Sequence, residues 1–131
     1  MTYPAAYRYT KQHEWIDVKG DTGTVGITDF AQCQIGDVVF VELPKVGMKV
    51  VSGQSFATVE SVKAVFEIFA PASGEILEIN SDLQNAPEKV NAEPHTAAWF
   101  VKMRLTNPGE LNELMDAPAY ESFISDKETH S

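Results

Sequence analysis

Between Pro44 and Asn80 the chain is cut into short β-prone runs by turn residues, and that rhythm restricts the fold more than any other feature. The cuts fall at Pro44-Lys45-Val46-Gly47, Ser52-Gly53 and Pro71-Ala72-Ser73-Gly74. Between them lie Ser55-Phe56-Ala57-Thr58-Val59, Val65-Phe66-Glu67-Ile68-Phe69 and Glu75-Ile76-Leu77-Glu78-Ile79. Parallel neighbours need crossovers of about a dozen residues or more, and these gaps are too short. The chain is therefore predicted to be mainly β, an antiparallel sandwich or flattened barrel.

The flanks extend this pattern. His13-Glu14-Trp15-Ile16-Asp17-Val18 alternates apolar with polar residues, and Lys19-Gly20-Asp21-Thr22-Gly23 turns it into Thr24-Val25-Gly26-Ile27, a hairpin. Thr28 suits the N-cap of a short helix over 29–34, with Asp29 favoured by the helix dipole and Gly36 closing it. A mostly buried strand is expected over 38–43, a polar loop over 81–94 and a last strand over 98–105. Asn107-Pro108-Gly109-Glu110 opens a helix with an apolar stripe of Leu111, Leu114 and Met115, and a second short helix runs from Pro118 through Tyr120, Phe123 and Ile124. The whole reads as one domain, 1–131, with its core at 7–124 and a flexible polar tail at 125–131.

One place breaks a local rule. Hairpin tips favour Gly, Asn or Asp because primed turns need positive φ, yet Glu60-Ser61-Val62-Lys63-Ala64 contains none of them. Rule breaks of this kind mark functional positions, and a tip lysine between Val62 and Ala64 offers its amine to a modifying enzyme. An ordinary solvated lysine fits the same residues, and on the residues alone both readings stand.

Nineteen acidic against ten basic residues in 131 give a net charge of −9. That charge repels phosphate, so nucleic acid and anionic membrane are excluded as partners, and basic proteins fit better. No apolar run approaches the roughly 20 residues of a membrane span. The amino-terminal residues lack a signal-peptide pattern, which points to a bacterial cytoplasm, or to the mitochondrial matrix for a processed form. Cys33 is the single cysteine, so no internal disulfide forms, and it is expected to pack as a small buried side chain. His13, His95 and His130 lack zinc spacing, no phosphate-cradling glycine loop or nucleophile elbow occurs, and no carboxylates are paired by the sequence. A protein that presents one group to enzymes is favoured over a self-contained enzyme.

Longer strings then carry a resemblance. Tyr9-Thr10-Lys11-Gln12-His13-Glu14-Trp15, Val25-Gly26-Ile27-Thr28-Asp29-Phe30-Ala31-Gln32, Gly36-Asp37-Val38-Val39-Phe40-Val41-Glu42-Leu43-Pro44, Glu60-Ser61-Val62-Lys63-Ala64 and Pro71-Ala72-Ser73-Gly74-Glu75 follow the order and spacing of the glycine cleavage system H proteins. The chain resembles that lipoyl-carrier family from about Tyr7 to Tyr120. The resemblance implies the barrel-sandwich hybrid fold of lipoyl and biotinyl carriers, no catalysis of its own, and (R)-lipoate amide-linked to Lys63, with Glu60, Ser61, Val62 and Ala64 as the modification motif. It implies that the arm carries the aminomethyl group of glycine from a pyridoxal-phosphate-dependent glycine decarboxylase to a folate-dependent aminomethyltransferase. Dihydrolipoyl dehydrogenase then reoxidises it, and a lipoate ligase or lipoyl/octanoyl transferase attaches it; the carrier itself is expected to be a monomer. By the same resemblance Glu14 pairs with the cargo's ammonium in a surface cleft, and Phe30 stands where relatives often have a polar residue near the arm. His95-Thr96-Ala97-Ala98 before Trp99 also departs from the family's usual tyrosine and glycines. A biotin carrier would flank its lysine with methionines, and this chain does not. Two alternatives remain: an H-like lipoyl carrier serving lipoate transfer or a redox process outside glycine cleavage, and an unmodified β-sandwich interaction module.

Overall fold

The computed structural model describes residues 3–130, with side chains as far as Ser125. Its elements in chain order are strands β1 (Arg8–Tyr9), β2 (Glu14–Lys19) and β3 (Thr22–Ile27), helix α1 (Asp29–Ile35), and strands β4 (Val38–Glu42), β5 (Lys49–Val50), β6 (Ser55–Ser61), β7 (Val65–Phe69) and β8 (Gly74–Ile79). Helices α2 (Asp82–Asn85) and α3 (Lys89–Ala92), strand β9 (Val101–Leu105), a 3-10 helix (Pro108–Glu113) and α4 (Ala117–His130) complete the chain.

Every pairing is antiparallel, as the short connections require. One sheet runs β1-β2-β3-β9-β8-β5 and the other β4-β6-β7. Between them Ile16, Val25, Val41, Val59, Ile76 and Phe100 are fully buried in one apolar cluster. A second, aromatic cluster gathers Tyr9, Trp15, Phe30 and Tyr120 under α4. α1 begins as its sequence dictates: the Thr28 hydroxyl accepts from the Ala31 N–H at 3.2 Å, and Gly36 at φ 86° closes it by donating to the Gln32 carbonyl.

Four expectations are corrected. Cys33 is exposed rather than buried, because Phe30, Ala31 and Ile35 set the inner face of α1 and the roughly 100° step per residue carries Cys33 to the other side. β4 is not mostly buried: Val39 and Phe40 face solvent, since a register shift between Val38 and Phe40 breaks the alternation on this edge strand. The polar loop at 81–94 holds the single-turn helices α2 and α3, anchored by fully buried Leu83 and Val90. The polar tail is helical through His130, because α4 is nucleated by packing of Tyr120 and Ile124; Ser131 lies outside the described residues.

Gly26 shows how tightly the aromatic cluster closes. A β-carbon there would stand 2.6 Å from the Trp15 ring, whose indole N–H donates to the carbonyls of Ile27 and Pro94 at 2.9 Å each and so cannot turn aside. Gly26→Ala is expected to cost about 1–3 kcal/mol by overpacking. A urea-denaturation midpoint equal to that of the parent would contradict this.

Candidate carrier site

β6 and β7 form a hairpin through the pairs Glu60↔Val65 and Val59↔Phe66, with Lys63 exposed at its apex. Ser61 explains why no glycine is needed. Its N–H donates to the Ala64 carbonyl at 2.9 Å, while its hydroxyl oxygen accepts from the N–H groups of Lys63 (3.2 Å) and Ala64 (3.1 Å). The side chain satisfies donors that a primed turn would place by positive φ, and among the described residues His13 is the one non-glycine residue at positive φ. Val62 and Ala64 are exposed beside the lysine, and Glu60 is half-buried one pair below. Among the described residues no side chain holds the Lys63 amine. A recess of about 360 Å³ opens beside it, lined by Ile35, Gly36, Asp37, Ser61, Val62 and Lys63. Asn91 of α3 braces that corner, donating to the Gly36 carbonyl and accepting from the Val38 N–H.

Glu14 lies elsewhere, and in a different environment from the surface position expected of it. It is 1% exposed, buried where the first strand of its hairpin meets the second sheet. Thr10 donates its hydroxyl to one carboxylate oxygen at 2.6 Å and the Phe69 N–H donates to the other at 3.3 Å. Burial raises the Glu14 carboxyl from its ordinary range to about 7, against the lowering effect of those two bonds. Phe69 ends β7 and Val65 begins it, so about 13 Å of strand separates Glu14 from the turn. The lysine side chain and Glu14 are thus not brought together; only a lengthened side chain at Lys63 would join them. A smaller cleft of about 200 Å³, bordered by Thr10, Gly53, Ala70 and Leu114, lies on the Thr10 side of Glu14.

Phe30 is placed in the aromatic cluster, its ring 4.7 Å from that of His13. His13 holds a left-handed conformation at φ 72° immediately before Glu14. Tyr120 locks it there: the phenol oxygen is 2.7 Å from His13 Nδ1 and 2.7 Å from the Thr28 hydroxyl. Thr10, His13 and Tyr120 escaped the sequence reading. Thr10 and His13 sit in the same string as Glu14, but no pattern announced their bonds, and Tyr120 is more than a hundred residues distant.

An antiparallel two-sheet scaffold with an exposed lysine at the apex of one hairpin has the architecture of the barrel-sandwich carrier domains. The family model for the glycine cleavage H-protein matches residues 7–127. The glycine cleavage system H protein of Acidobacterium capsulatum is 54% identical over 130 residues, covering 99% of this chain and 100% of the relative. That of Koribacter versatilis is 55% identical over the same span and coverage. A crystal structure of a glycine cleavage system H protein from Mycobacterium marinum superimposes with a TM-score of 0.85 at 38% identity, over 92% of this chain and 97% of that one. The chain belongs to the glycine cleavage H-protein family. It is accordingly a non-catalytic lipoyl carrier of glycine cleavage, in a family that bears lipoate covalently on a lysine.

The raised Glu14 carboxyl has a stability consequence. Its folded value of about 7 lies above the unfolded 4.5, so the folded state binds the proton more tightly. The associated stability is complete below the unfolded value and is lost as pH rises through about 7. Glu14→Gln mimics the protonated form, so its stability relative to the parent should climb by about 2 kcal/mol between about pH 5 and about pH 8. Parallel stability curves from urea titrations across that range would show that Glu14 is not perturbed.

Proposed function

We propose that Lys63 is the residue that carries lipoate, that Glu14 receives the ammonium end of the cargo, and that the chain acts as one carrier domain, 1–131. The observation that carries the reading is the Ser61-closed hairpin, which holds the Lys63 backbone fixed and leaves its amine in solvent. Lys63 would hold lipoate through an amide, and the group would supply there a cyclic disulfide able to take up and release a one-carbon unit.

The chain's own residues set the rest. Lys63 amide formation removes a positive charge, which lowers the cost of laying the side chain against an apolar surface. Glu14 is a costly ion when buried alone, so a cationic partner restores to it what burial takes away. The tether keeps the loaded group at high effective concentration for each docked enzyme. The partners are a pyridoxal-phosphate-dependent glycine decarboxylase, a folate-dependent aminomethyltransferase and the flavoprotein dihydrolipoyl dehydrogenase, with a lipoate ligase or lipoyl/octanoyl transferase for attachment. The relatives named above are bacterial, which supports a bacterial cytoplasmic setting. Phe30 serves the site from behind, by packing His13.

Lys63→Arg should fold like the parent, since the side chain is exposed, and should gain no mass on incubation with lipoate, ATP and a lipoate ligase. Lipoate mapped to Lys45 or Lys49 would refute the assignment. Glu14→Gln should be lipoylated and reoxidised normally, yet its aminomethyl-loaded form should lose the one-carbon unit to water about tenfold faster. Equal decay of the two loaded proteins would remove Glu14 from cargo protection.

A further inference from the structure

Thr10 to His13 form the turn that joins β1 to β2, and one side chain holds that turn closed. The Thr10 hydroxyl oxygen accepts from the N–H of Gln12 at 3.2 Å and from that of Glu14 at 3.1 Å. Its main chain closes the same turn, donating to the Glu14 carbonyl at 2.9 Å and accepting from the His13 N–H at 3.1 Å. A hydroxyl has two lone pairs and one proton. With both lone pairs engaged by backbone donors, the proton has a single direction left, toward Glu14 Oε1 at 2.6 Å. That length falls in the charge-assisted range of about 2.5–2.7 Å for a hydroxyl on a carboxylate, whereas the Phe69 N–H reaches Oε2 at 3.3 Å, a long contact for such a donor. Thr10 is therefore the stronger of the two donors that favour the Glu14 anion against its burial.

We infer that Thr10 is a positioning residue for the carried cargo: its hydroxyl, locked by the turn, fixes the Glu14 carboxylate and favours the anionic form that an ammonium group needs. The inference rests on the reading that Glu14 receives the ammonium end of the cargo. A carboxylate has about four acceptor directions, and Thr10 and Phe69 fill one on each oxygen, so each oxygen keeps a direction for a cation. The β-branched side chain of Thr10 is stiff at χ1, which keeps the hydroxyl from swinging away. The titratable and charged groups around Glu14 are placed differently. His13 precedes it and meets the Tyr120 phenol of α4, Lys11 and Glu113 border the cleft on the Thr10 side, and Glu67 lies two residues before Phe69 on β7. Burial, with the Glu14 charge among smaller causes, raises the Tyr120 phenol and keeps it neutral. Among the described residues no other side chain bonds the Glu14 carboxylate, so its ionisation answers to Thr10.

The first arm of the test uses the unlipoylated full chain and follows the Glu14 carboxyl carbon by NMR as pH is varied. The parent should titrate at about 7. Thr10→Val, which matches the shape and removes the proton, is expected to titrate about one pH unit higher, and Thr10→Ser to return to the parental value. The second arm uses the lipoylated, aminomethyl-loaded proteins and reads how much more slowly each loses its one-carbon unit than Glu14→Gln does at the same pH. That ratio cancels titrations common to both, such as that of His13. Protection needs the Glu14 anion, so it is lost as pH falls through the value of the carboxyl in the loaded protein, and the loss should come about one unit higher in Thr10→Val than in the parent or Thr10→Ser. Should Thr10→Val fail to fold, Thr10→Cys, whose thiol is a weak donor and acceptor, should displace both titrations in the same direction by less. Coincident Glu14 titrations in the parent and Thr10→Val overturn the inference. So does a Thr10→Ser protein that behaves like Thr10→Val, or a displaced carboxyl titration with no displacement of protection. Equal decay of the parent and Glu14→Gln at every pH sinks the cargo reading of Glu14, and the inference with it, and is told apart by that result alone.

Discussion

The apolar seam between the two sheets is the constraint on which everything else rests. Ile16 and Val25 on one side face Val41 and Val59 on the other, with Ile76 and Phe100 beside them, all fully buried. Each such side chain contributes about 1.5–3 kcal/mol when withdrawn from water. Because strand side chains alternate, the seam also fixes register: a one-residue slip of β6 would expose Val59 and bury Glu60. The hairpin that carries Lys63 is therefore pinned along its inner face while its apex stays in water. Rigidity at the root and freedom at the tip come from the same alternation.

The aromatic cluster performs a second, narrower task. His13 at φ 72° occupies a conformation costing on the order of 1–3 kcal/mol for a residue with a β-carbon. Three contacts over-determine it: its N–H donates to the Thr10 carbonyl, its carbonyl accepts from the Thr28 N–H, and its ring meets the Tyr120 phenol. Thr28 also caps α1 through the oxygen that meets Tyr120. One phenol thus joins α4, the start of α1 and the bend before Glu14, and that bend turns Glu14 inward toward Phe69 rather than outward to solvent.

What the sequence disclosed follows from which forces are local. Alternation and turn residues act over a few positions, so the hairpin of β2 and β3, the β6–β7 hairpin and the capped α1 could be read directly. Ser61 could be read as part of a motif but not as the turn's hydrogen-bond acceptor, because that role depends on where the backbone folds back upon it. Glu14 alternates as a surface residue would, and only the second sheet, arriving with Phe69 from more than fifty positions away, buries it. Cys33 and Val39 failed in the opposite direction: apolar character suggested burial, while helix phase and an edge-strand register shift left them outside. The two single-turn helices lacked any periodic signal because each is too short to show one.

The turn bearing Lys63 opens one end of β7, and Glu14, at the start of β2, meets the other end through the Phe69 N–H; the separation has a physical logic. An attachment point must be open, so that different enzymes can approach it, and it gains nothing from burial. A receiving carboxylate must be dry, because a charge pair exposed to water is worth little and screens readily. No single position can be both. The turn at one end of β7 stays exposed, while burial at the other end raises the Glu14 carboxyl to about 7. On the proposed assignment of Lys63 and Glu14, the strand between them sets the distance a tethered group must cover, so the length of β7 and the length of the arm would have to be matched for one protein both to offer its cargo and to shelter it.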